Sequence, residues 1–231
     1  MADALPPDPT LQGQTSPAAH SAPPVPLNTV RDTWAWLWKD TAGRLLPFAL
    51  AAAAYGRFSG RGARGLGLTA EGWRRDVLIG SAVGVPTAAA AIAFRRWVAP
   101  GYRLPTPADQ AVQTAFYLGL NAPVEELFWR GTVQQLAIEG LCRVPGLQRV
   151  APGLGWAATT AVFGAYHRLG NWSWRSIAGV TAAGALFGGA FLATRERRSL
   201  LPTILIHGFM TAGFLSWGDL ALHLLRRRRA R

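Results

Sequence analysis

The chain is poor in cysteine and poor in charge. A lone cysteine, Cys142, among 231 residues excludes an internal disulfide and a cysteine-based zinc cage, and it leaves the redox compartment open. Only 16% of residues are charged, and 12 acidic residues stand against 24 basic ones. No His-Glu-x-x-His run occurs, so the helix-borne ligand pair of the common zinc hydrolases is missing. No internal repeat of the kind many carriers show is visible. No continuous apolar core follows a basic start. Residues 1–30, rich in Pro, Ala, Ser and Thr, therefore read as a disordered polar tail and not as a signal peptide.

What is present is apolar and clustered. Half of the residues are hydrophobic, ten are Trp, and the apolar ones collect in long runs separated by arginine-rich connections. The net charge of +12 raises the question of nucleic acid. The arginines sit at the ends of the apolar runs, where anionic lipid headgroups want them, so the reading is membrane lipids and no nucleic acid.

The runs predict an all-α, polytopic transmembrane helix bundle of about six membrane helices: roughly 41–58, 77–98, 109–142, 152–168, 174–194 and 200–224. Residues 1–40 form the tail and an interfacial lead-in marked by Trp34, Trp36 and Trp38. Residues 41–225 form the transmembrane domain, and 226–231 a basic C-terminal tail. Gly80-x-x-x-Gly84 and Gly184-x-x-x-Gly188 are spacings that let helices approach closely, and they read as packing. Six spans leave both termini on one side, and the distribution of basic residues favours the cytoplasm of a bacterial cell membrane.

The third run carries the chemistry. Asn121-Ala-Pro-Val-Glu125-Glu126-Leu-Phe-Trp-Arg130-Gly131 sets two carboxylates and an arginine in an apolar wall. At about 100° per residue, Glu126 and Arg130 share a helix face and can pair, whereas Glu125 points elsewhere and keeps its charge free. Ionisable groups at membrane depth cost several kcal/mol and are retained mainly where they face a polar cavity or one another. Pro123 predicts a kink or break beside them. Two further polar centres lie in separate apolar runs: His167, four residues after Phe163, and His207, four residues before Thr211. A compact bundle of three such helices can gather them around one polar cavity. Phe163 reads equally as core packing or as part of a substrate wall. His20 reads as inert and His223 as interfacial.

These motifs resemble those of the CPBP family of intramembrane proteases, also called the Abi or CAAX prenyl protease 2-like family. Glu125, Glu126 and Arg130 match its Glu-Glu-x-x-x-Arg; Phe163 and His167 match its Phe-x-x-x-His. His207 opens its His-x-x-x-Asn, with Thr211 at the Asn position. Trp129-Arg130-Gly131 and Ser199-Leu-Leu-Pro202 through His207 agree with the family's surroundings of those motifs, and the resemblance spans about residues 65–215. It implies hydrolysis of a peptide bond near the membrane surface by an activated water, on an apolar or prenylated peptide or membrane protein.

The implied roles follow the residues. Glu125 is the general base, and Glu126 with Arg130 fixes the helix face. His167 shares the water or protonates the leaving amine. His207 and Thr211 donate to the oxyanion, worth about 3 kcal/mol per good donor. Threonine offers a single, shorter donor where asparagine would offer an amide. Glu125, His167 and His207 would also make a 2-His-1-carboxylate set for zinc; the reading favours glutamate-activated water without a tightly held metal. Two other classes fit the same polar centres: a Glu/His proton-coupled membrane carrier, and a non-catalytic binding or immunity protein that kept the fold.

Overall fold

A computed structural model describes residues 30–98, 106–194 and 199–229; among them every regular element is helical and none is a strand. The tail before residue 30 with His20, most of the Pro/Gly loop near 99–107, the Arg195–Arg198 turn and the last two residues lie outside the described residues.

Several helices join end to end into longer rods. The first rod is α1 (Val30–Asp40), a π-helical turn (Thr41–Leu45) and α2 (Leu46–Phe58). After a short α3 (Gly62–Gly65) comes α4 (Trp73–Val98). The third rod joins α5 (Pro107–Phe116), α6 (Ala122–Phe128) and α7 (Gln135–Cys142) through two π-helical turns, Tyr117–Asn121 and Trp129–Gln134. Then follow α8 (Ala151–Tyr166), closed by a 3₁₀ turn (His167–Gly170), and α9 (Trp174–Ala193). The last rod is α10 (Leu201–Ala212), a π-helical turn (Gly213–Trp217) and α11 (Gly218–Arg229).

The sequence explains these joints. Proline lacks the N–H of an i→i−4 bond, and its ring crowds the carbonyl four residues back. Pro47 and Pro123 each sit in the first turn of a helix that follows a π-helical turn, so a widened turn absorbs the misfit without breaking the rod. The break expected near Pro123 is thus a pair of π-helical turns bracketing the glutamates. Starts are capped where the chain begins afresh. Thr106 and Asp109 form a reciprocal capping box at α5, and Ser173 accepts from the Ser176 amide at α9.

Small residues set the closest approaches. A Cβ on Gly80 would meet Leu205 at 2.9 Å, and one on Gly84 the Phe209 ring at 2.6 Å, so the first Gly-x-x-x-Gly face seats α4 on α10. The second does the same for α9 on α8. A Cβ on Gly184 would meet the Phe163 ring at 2.6 Å, and one on Gly188 the Trp156 ring at the same distance.

The bundle buries several large polar side chains and exposes several large apolar ones. Arg130, Glu126, Gln134 and Asn121 are among its most completely buried large side chains, at 2% exposure or less, while Leu78 and Val85 on α4 are 70% and 57% exposed. Among the described residues two helical stretches, Trp73–Arg95 and Trp174–Ala193, are long and apolar enough to cross a membrane by length and composition. Exposed Trp73, Trp97 and Trp174 stand at or near their ends, and Arg175 lies 5.1 Å from the Trp97 ring centroid, the amphipathic dressing of a membrane–water interface.

Candidate active site

The centre is a carboxylate that joins the third rod to α10. Glu126, on α6, receives Arg130 Nη1 at 3.0 Å, the pairing that the four-residue spacing predicts. The same oxygen, Oε1, stands 2.6 Å from His207 Nδ1 on α10. Arg130 Nη2 donates to the Gly184 carbonyl on α9 at 2.9 Å. The guanidinium plane is flanked by the rings of Phe163 (4.7 Å) and Phe187 (5.3 Å). Phe187 in turn stacks on the His207 imidazole, centroids 4.5 Å apart and planes 15° from parallel. Arg130, Phe187 and His207 each have neighbours on two or more other helices, which fixes rotamers that a lone ion pair would leave loose.

Phe163 is 1% exposed, edge-on to Trp129 at 5.4 Å and to His167 at 4.8 Å. The ring packs as a floor under Arg130.

Glu125 is not the free charge expected from its turn away from Glu126. Its Oε1 accepts from Arg44 Nη1 and, at 3.1 Å, from Asn121 Nδ2. Arg44 comes from the first rod, where the π-helical turn lies beside the third rod. Asp40, one turn earlier, grips Arg44 with two bonds of 2.7 Å, to Nε and Nη2. Near-complete burial explains the correction: a carboxylate largely withdrawn from solvent finds a cation, and the first rod supplies one.

His167 begins the 3₁₀ turn that closes α8. Its Nδ1 is 2.7 Å from the Phe163 carbonyl, which can only accept, so Nδ1 carries the proton and Nε2 is the acceptor nitrogen of the neutral ring. Tyr166 and Trp172 box the imidazole edge-on, at 5.7 and 4.9 Å. Glu125 lies within electrostatic reach of both His167 and His207, so the three polar centres converge. In His207 the carboxylate of Glu126 likewise takes Nδ1–H, and Nε2 makes no hydrogen bond among the described residues. Thr211 is half-buried one turn beyond His207, and among the described residues its hydroxyl also has no partner.

The zinc alternative finds no ready-assembled ligand group. Among the described residues no three His, Cys, Asp or Glu side chains stand as a group that could hold a metal ion. One oxygen of Glu125 faces a guanidinium, and both imidazoles have committed Nδ1.

Sequence reasoning passed over Arg44, Asp40, Asn121 and Gln134. The signals were local ones: Asp40 and Arg44 are four apart, as are Asn121 and Glu125. Gln134, one turn beyond Arg130, donates to the Gly188 carbonyl at 3.2 Å. Gly184 and Gly188 thus serve as acceptors as well as packing faces.

Residues 107–213 match the family model described as Type II CAAX prenyl endopeptidase Rce1-like. The match begins at the first residue of α5 and takes in Asn121, Glu125, Glu126, Arg130, Phe163, His167, His207 and Thr211; it leaves out the whole first rod, with Asp40 and Arg44. No curated protein and no solved structure matches the chain.

Proposed function

Since residues 107–213 belong to the Rce1-like family of type II CAAX prenyl endopeptidases, membrane-embedded peptidases, we propose that the chain cleaves peptide bonds near the membrane surface with a water activated by Glu125 and His167. About six helices cross the bilayer in this reading, and the substrate is an apolar or prenylated peptide or membrane protein. The observation that carries it is the single buried network Arg130–Glu126–His207 beside Glu125 and His167. A purely structural staple would need the Arg130–Glu126 pair alone.

The chain's own atoms suggest the steps. Glu125 Oε2, the oxygen that Arg44 and Asn121 leave uncovered, takes a proton from water as the water oxygen attacks the scissile carbonyl carbon. The carbonyl π pair moves onto oxygen. His207, held by Glu126, and the Thr211 hydroxyl one turn on are the two donors to that oxyanion. When the oxyanion collapses, the C–N bond breaks and the proton reaches the leaving amine through His167 Nε2.

The test is a mass-spectrometric cleavage screen on protein in lipid nanodiscs. Wild type and Glu125→Gln would meet prenylated and unprenylated C-terminal peptides and apolar peptides, each with and without a chelator. Cuts made only by wild type, and retained under chelation, are expected. Equal cutting by Glu125→Gln would sink the assignment of the base.

A further inference from the structure

Arg44 lies outside the matched segment, yet it is bonded to the proposed base. Its three donor nitrogens divide unequally: Nε and Nη2 go to the two oxygens of Asp40 at 2.7 Å each, and Nη1 goes to Glu125 Oε1. The bidentate grip fixes the plane of the guanidinium before Glu125 is reached, because Asp40 and Arg44 share one helical turn. Asn121, four residues before Glu125 on the third rod, adds its amide to the same Oε1 at 3.1 Å. Two donors from two rods thus converge on one oxygen and use neither lone pair of the other.

We propose that Arg44, held by Asp40, is a positioning residue that aims Glu125 Oε2 at the water. A glutamate carboxylate rotates broadly about its last torsion, and which oxygen meets the substrate is then left to chance. Anchoring Oε1 on both sides removes that freedom, and a geometric gain of this kind acts on kcat more than on substrate binding. The first rod thereby becomes part of the active centre. The inference rests on the peptidase reading for its consequence, but the bond itself can be measured without any activity.

Two measurements on full-length protein in nanodiscs decide it. The first is a thermal-unfolding double-mutant cycle of Arg44→Gln, Glu125→Gln and both together. The double variant should be less destabilised than the sum of the singles, since each single leaves a buried group unpartnered. Additive losses would overturn the inference. The second is the kinetics of whichever peptide the wild type cuts. Arg44→Gln should lower kcat by about 100-fold with KM within about twofold. Arg44→Lys should recover only part, because an ammonium cannot make the fork to Asp40 while reaching Glu125. Added guanidinium ion should restore a share of the activity of Arg44→Ala. An unchanged or raised kcat in Arg44→Gln would overturn the inference. Coupling in the unfolding cycle alongside a wild type that cuts nothing would refute the peptidase reading and leave the Arg44–Glu125 bond established.

Discussion

Glu126 and His207 are 81 residues apart in sequence and 2.6 Å apart in space, and the oxygen that joins them is also the one that takes Arg130. One buried carboxylate therefore answers for two basic groups. That sharing makes the two partners unequal when removed.

Replacing Glu126 leaves Arg130 fully buried beside a neutral amide, an uncompensated charge that costs about 3–5 kcal/mol. Replacing His207 leaves the Glu126–Arg130 pair intact and forfeits one charge-assisted bond, about 1.5–3 kcal/mol. Thermal unfolding in nanodiscs should rank Glu126→Gln as clearly less stable than His207→Gln, and both should lose cleavage. The reverse order of stability would mean that Arg130 depends on the Gly184 carbonyl and the flanking rings more than on the carboxylate.

Two glycines in the bundle predict opposite effects. A Cβ on Gly131 would come within 2.6 Å of the Leu66 carbonyl, a backbone atom that cannot swing aside. Gly131→Ala should therefore destabilise by about 1–3 kcal/mol, by pushing the α3–α4 connection off the third rod next to Arg130. Gly189 on α9 has open space around its missing side chain, so Gly189→Ala should be neutral or stabilising by up to about 1 kcal/mol, as in any exposed helix interior. Unfolding temperatures of the two variants check the pair; equal shifts would contradict the close approach at Gly131.

The sequence made legible what depends on spacing along one helix. Glu126 with Arg130 and both Gly-x-x-x-Gly faces follow from periodicity, and the helices of the described residues follow from long apolar runs. What stayed hidden depends on contacts across the bundle. Nothing near Glu125 in the chain announces that Arg44 meets it, because the choice was made by how the first rod lies on the third. The π-helical turns were equally silent: an inserted residue has no compositional mark beyond the proline that follows it. Among the described residues, length and composition mark Trp73–Arg95 and Trp174–Ala193 as stretches able to cross a membrane, whereas α2, α6, α7 and α10 are shorter helices within jointed rods.

Thr211 is where this chain departs from the motif it resembles, and the departure can be read kinetically. Its hydroxyl is uncommitted among the described residues and stands one turn from His207, so it is available as a donor and no other bond holds it in place. Thr211→Asn supplies an amide on a longer arm, with two N–H donors. If the oxyanion is formed on this side of α10, that variant should raise kcat by about tenfold at unchanged KM, and Thr211→Val, which keeps the shape and removes the donor, should lower it by about 10–100-fold, a fraction of the usual loss for an oxyanion donor. A rise with Asn but no fall with Val would show that the threonine hydroxyl is too short to reach. No change with either would place the oxyanion away from α10, and His207 would then act only through Glu126.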